Sequence, residues 1–214
     1  MNILVTLFFL HNVLATTYLG SKFSTQKDGT LKNFGISLLL NAIAFSVWSF
    51  AIITQAEELT TFVTIGVAFF ITSLVFLLNA GIQNVNPSFR SKLLLLGSFA
   101  AVVLFYLRTF IIPAKPFISN EGFFFFNVHP LTQMVYIFAL LLTSVMAINA
   151  VASKFKGVYS AVIRFCFLIQ VIGGIILLTT TDTEVLYLSG WIMGTAYVAL
   201  WAPLLLNKKT WSLK

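Results

Sequence analysis

Seven apolar stretches, each about the length of a membrane-crossing helix, follow one another along the chain and are cut apart by short polar segments. They cover roughly residues 2–19, 34–54, 61–81, 93–112, 129–149, 161–179 and 185–206. About 20 apolar residues span the hydrocarbon core as a helix, and a helix satisfies its own backbone groups there. No stretch is left over for a soluble domain. The pattern therefore predicts an all-α integral membrane protein, one seven-transmembrane-helix bundle occupying 1–214.

Composition agrees. Hydrophobic residues make up 59% of the chain and charged ones 9%, against about 25% charged in soluble proteins. So few charges would leave a water-soluble globule of this size unable to cover its Phe, Leu, Ile and Val. The charges also alternate from loop to loop. Eleven of thirteen Lys and Arg, among them Lys22, Lys32, Arg90, Lys154 and Lys208, fall on one side of the implied membrane. Five of six acids, including Glu57, Glu58, Asp182 and Glu184, fall on the other. The positive-inside rule then puts the N-terminus outside and the C-terminus in the cytoplasm. The +7 balance is topogenic on this reading, and nucleic acid is not an expected partner. Span one lacks the basic leading region of a signal peptide and carries its positive charge afterwards, which suits a retained helix.

Residues 113–128 form the one sizeable outward segment. Pro113 and Pro116 end the fourth helix, since proline lacks an amide donor and disfavours helix before it. The run Phe123, Phe124, Phe125, Phe126 is expected mainly as an aromatic anchor in the headgroup region. The alternative is a lid folded over the mouth of the bundle.

Chemistry enters largely as exclusion. No Asp or Glu lies in the middle of a span, which weighs against a proton-coupled carrier. No Lys lies within a span to carry a retinal Schiff base. His11 falls near mid-membrane and His129 at the outer end of span five, so their depths differ by roughly 10–15 Å at 1.5 Å per residue. That mismatch does not suit one bis-histidine haem. One Cys, Cys166, and two scattered His offer no zinc site. Neither a metal nor a cofactor is expected, although a bound lipid or apolar small molecule fits the composition. With no nucleophile–base pair at plausible depth, an enzyme is the least favoured class.

Arg108 is the notable charge. It lies about one turn before Pro113, close enough to snorkel to the interface; alternatively it points inward to an anionic ligand, Glu121 or the acids flanking span seven. Amides at Asn12, Asn41, Asn79, Gln133, Asn149 and Gln170 serve as interhelical glue or line a polar cavity. Arg108, Phe123, Phe124, Phe125, Phe126, Gln133 and Asn79 make up the candidate ligand-binding set. Gly173 and Gly174 in span six, and Gly190 and Gly194 in GxxxG spacing in span seven, mark close helix packing, within the chain or in a homodimer. Trp201 and Trp211 mark the inner interface.

The run from Asn33 and Phe34 to Trp48, Ser49 and Phe50 resembles the second helix of the seven-helix N-terminal sensor regions of bacterial histidine kinases. Those regions are similar in their external N-terminus, their lengthened loop before helix five and the basic residues opening helix six, here Lys156 and Arg164. The resemblance implies a membrane sensor or ligand-binding bundle in a bacterial-type inner membrane. Family members pass the signal to a cytoplasmic catalytic domain, whereas only about eight residues follow span seven here. Output through a separate membrane or cytoplasmic protein is therefore expected. Two other classes compete: a non-catalytic accessory subunit of a larger membrane complex, and a small-solute carrier or channel. A carrier calls for a helix broken near mid-membrane, and Gly173-Gly174 is the best place for one.

Overall fold

The computed structural model describes residues 3–54, 58–119 and 124–206. Among them are seven α-helices: α1 (Ile3–Ser24), α2 (Gly29–Thr54), α3 (Leu59–Gly81), α4 (Pro87–Tyr106), α5 (Pro130–Ala152), α6 (Val158–Thr179) and α7 (Thr183–Leu206). A π-helical turn, Leu107–Ile111, continues α4. Two short strands follow, β1 (Phe117–Ile118) and β2 (Phe124–Phe125). Five helical segments are long and apolar enough to cross a membrane: α2, α3, α4 with its π turn, α5 and α6. That is the make-up of a multi-pass membrane protein.

Most helices overrun the apolar stretches that announce them, because their caps lie in the polar segments. Asn86 accepts from the Ser88 amide at 3.1 Å and Pro87 occupies the first helical position of α4, six residues before the apolar run. His129 and Pro130 do the same for α5, with His129 Nδ1 accepting from the Leu131 amide at 3.3 Å. Asp28 accepts from the Leu31 amide at 3.1 Å, and Asp182 from those of Glu184 and Val185. Such caps satisfy amides that the first turn leaves open. The overrun carries Lys22, Lys32, Arg90 and Lys92 into helical end turns. The break expected at Gly173-Gly174 does not occur: α6 runs unbroken from Val158 to Thr179, and the irregular backbone lies instead at Leu107–Ile111.

Helix packing follows the order α1, α2, α3, α5, α6, α7 and back to α1, a closed ring of six. The seventh, α4, leans mainly on α3 from outside. Leu104 and, in the π turn, Arg108 are its two buried residues, whereas Leu95, Leu96, Phe99 and Val102 are exposed. Glycine sets the tightest crossings. A methyl on Gly35 in α2 would run into the backbone of Phe23 and Ser24 in α1, and one on Gly66 in α3 would overlap the Trp48 indole. Gly173 has the same relation to Met193, so it does join α6 to α7. Gly174 sees only Leu140 at ordinary contact distance, and Gly194 has nothing within 4 Å. Close approach is thus spread over the whole ring and is not concentrated in the last two helices.

Candidate ligand cavity

A cavity of about 130 Å3 lies inside the ring, lined from α2, α3, α5, α6 and α7 and closed at one end by the π turn and the segment after it. On α2 its lining runs from Phe34 to Trp48, on α5 from Tyr136 to Ile148, and on α6 from Phe167 to Leu178. At 1.5 Å per residue these stretches are roughly 16–21 Å long. So small a volume over such a length makes a narrow slot. Its foot lies where Phe34 and Phe167 meet edge-to-face, ring centroids 4.9 Å apart.

The upper end is built by the 113–128 segment. Strand Phe117–Ile118 pairs antiparallel with Phe124–Phe125, Phe117 opposite Phe125. Lys115 and Asn127 pin the base of this hairpin: the Asn127 side-chain amide donates to the Lys115 carbonyl at 3.0 Å. Asn127 holds a left-handed conformation, φ 43°, which asparagine adopts more readily than most residues. The turn sends the next side chains inward. Phe124, Phe125 and Phe126 are all buried. Phe126 packs on Trp48 at 4.8 Å and on Phe124 at 4.7 Å, and Trp48 donates from its ring nitrogen to the Val63 carbonyl at 3.3 Å. These three phenylalanines plug the bundle and do not spread as an interfacial anchor. Phe123, Glu121 and Trp211 lie outside the described residues.

Arg108 is 3% exposed and faces the slot. Its place follows from local sequence: Leu104 and Arg108 are four apart, on the one stripe of the α4 segment that turns inward. Tyr136, 2% exposed, stands near enough to interact with it electrostatically. Among the described residues Arg108 forms neither an ion pair nor a hydrogen bond, and its Nη2 and the Tyr136 hydroxyl are buried without partners. Asp182 and Glu184 are engaged or exposed at the start of α7 and do not reach it. A buried charge without compensation is costly, so the slot presents one strong unsatisfied cationic donor at its upper end.

Lower down, polar groups recur. Asn41 and Ser37 on α2, Ser144 on α5 and Gln170 on α6 all line the slot. Asn41 accepts from Ser73 at 3.2 Å, and Gln170 donates to the Met193 carbonyl at 2.7 Å. The Gln170 Oε1 and the Ser37 hydroxyl are buried without partners. Counting along each helix, Asn41, Ser144 and Gln170 sit roughly 10–12 Å below the Arg108 end.

The two amides singled out from sequence are elsewhere. Gln133 donates to the Leu178 carbonyl at 2.9 Å, satisfying the end of α6. Asn79 belongs to a chain at the opposite, basic end of the bundle: Arg90 donates to Gln83 at 3.1 Å, Gln83 to Asn79 at 2.9 Å, and Asn79 to Asn33 at 3.0 Å. Neither lines the slot. Sequence reasoning missed Tyr136, whose only signal is its spacing in the buried series Thr132, Tyr136, Leu140, Ser144, Ile148 along α5. At the basic end Lys154 also pairs with Asp28 at 2.7 Å, tying the α1–α2 turn to the end of α5. Burial pushes the Asp28 carboxyl up, but the Lys154 ammonium and the Leu31 amide outweigh it, so its pKa falls below the ordinary 3.8.

The fold and the slot define a multi-pass helical membrane protein with an internal, singly charged cavity. Compared with known protein families and with curated proteins, the sequence returns no match.

Proposed function

We propose that this chain is a membrane sensor or ligand-binding bundle that has no catalytic role of its own, takes an anionic small molecule into its central slot and relays occupancy to a partner protein. The observation that carries this reading is Arg108, almost fully buried, facing the slot and uncompensated among the described residues. A protein retains such a charge against its desolvation cost when a ligand supplies the counter-charge. In this reading α1 and α7 complete seven spans, the N-terminus and the hairpin end face outward, and the end holding Lys22, Lys32, Arg90 and Lys154 faces the cytoplasm. Lys154–Asp28 and the Arg90–Gln83–Asn79–Asn33 chain gather basic loops at one end, which supports that threading.

Native mass spectrometry of the protein extracted in mild detergent tests the reading. The wild type is expected to retain a small-molecule mass that Arg108→Met loses. Equal adducts on both proteins, or none on either, contradict it. The accessory-subunit reading draws support from α4, whose exposed Leu95, Leu96, Phe99 and Val102 form an apolar face outside the ring. A second protein released in equal amount by an α4-face variant and retained by Arg108→Met favours that class instead.

A further inference from the structure

Resting on the ligand-binding reading, we infer that the slot is built for a single-chain carboxylate bearing a distal hydroxyl, its carboxylate on Arg108 and Tyr136 and its hydroxyl on Ser37 and Gln170. Charge decides the head. Arg108 is the one charged side chain among the described lining residues, so a monoanion neutralises it, whereas a phosphomonoester dianion would bury an excess negative charge. The planar guanidinium fork also matches a carboxylate in two parallel hydrogen bonds. The Tyr136 hydroxyl, buried and unpartnered, is a third donor at the same end.

The walls decide the body. Between the two polar levels the slot is lined by Phe45, Val67, Phe70, Leu74 and Leu140, an apolar passage too slender for fused rings and suited to one extended chain. Orphaned atoms decide the far end. A plain alkyl tail would pass the Gln170 Oε1 and the Ser37 hydroxyl and leave both unsatisfied. An amide oxygen needs a donor, and a hydroxyl on the ligand supplies one while accepting from Ser37. The levels are roughly 10–12 Å apart, near the length of an extended ten-carbon chain. Below them Phe34 and Phe167 close the foot, so substantially longer chains have nowhere to extend.

Binding of ω-hydroxydecanoate, decanoate, decan-1-ol and decyl phosphate to the purified full chain in neutral-lipid discs, read by ligand-induced thermal stabilisation, tests the assignment. ω-Hydroxydecanoate is expected to bind tightest, with decanoate weaker by roughly three- to tenfold and decan-1-ol weaker still by at least about tenfold. Arg108→Gln should erase the preference for decanoate over decan-1-ol while keeping the hydroxyl preference. Ser37→Ala should do the reverse, and Ser144→Leu, which fills the slot at mid-height, should weaken all the chains. Equal binding of decanoate and decan-1-ol, or a preference for decyl phosphate, overturns the carboxylate while leaving a ligand-binding bundle standing. Decanoate equalling ω-hydroxydecanoate overturns the distal hydroxyl. No stabilisation by any probe, in a protein that still carries an Arg108-dependent native adduct, overturns the ligand class alone; with that adduct also missing, the ligand-binding reading falls too.

Discussion

A guanidinium held in an apolar interior with no counterion works against the stability of the fold around it. Removing Arg108 should therefore behave unlike removal of one half of a buried pair, which typically strands a charge and destabilises. Arg108→Met in protein stripped of small molecules is expected to be more stable than wild type by about 1–4 kcal/mol. Equilibrium unfolding in mixed micelles measures this, and a loss of stability would make the residue a structural partner. Tyr136→Phe removes a buried orphan hydroxyl and should be neutral or mildly stabilising in the stripped protein, while weakening any Arg108-dependent ligand. Arg108 was legible in the sequence because a charge stands out in an apolar span. Tyr136, Ser37 and Gln170 were not legible as its companions. Lipid is as apolar as a protein core, so α1, α2 and α7 show almost no amphipathic contrast from which an inward face could be read. Asn79 and Gln133 looked like ligand groups for the same reason, whereas their hydrogen bonds tie helix ends together.

Between elements, contact is governed by where a backbone comes close. Gly173→Val forces Met193 out of its place between α6 and α7 and should cost about 1–3 kcal/mol. Gly194→Ala, with open space at that position, should stay within roughly ±0.5 kcal/mol. The same unfolding titration separates them, and equal effects would restore the GxxxG pair as one packing unit. The sequence displayed that motif openly, but it hid the crossings at Gly35 and Gly66, which depend on partners brought in from other helices. Element type and order were legible from hydropathy, and ends were not, since caps such as Asn86 and His129 lie in polar sequence. The Asp28–Lys154 link has its own signature. A carboxyl with a lowered folded pKa contributes stability that is complete above its unfolded value of 3.8 and fades as pH falls through the folded value. Asp28→Asn should remove that acid-side loss, by less than about 1 kcal/mol because the pair is partly exposed. Stability of both proteins followed below about pH 4 checks it, and parallel curves would show the pair to be inert.

At the scale of the whole molecule, the proposed threading and the proposed site stand together, because the plug of Phe124, Phe125 and Phe126 and the Arg108 end of the slot share one face of the bundle. In intact cells Glu121→Cys is expected to react with an impermeant thiol reagent and Lys156→Cys to stay protected. The opposite labelling would turn the slot mouth towards the cytoplasm. The central claim is that Arg108 meets an anion inside the ring, and a cryo-EM map of the wild-type chain in lipid discs tests it most directly. The account predicts elongated density running from hydrogen-bonding reach of the Arg108 guanidinium, about 2.7–3.2 Å, down towards Phe34 and Phe167. An Arg108 turned out to the headgroups, with side chains closing the interior, would contradict it.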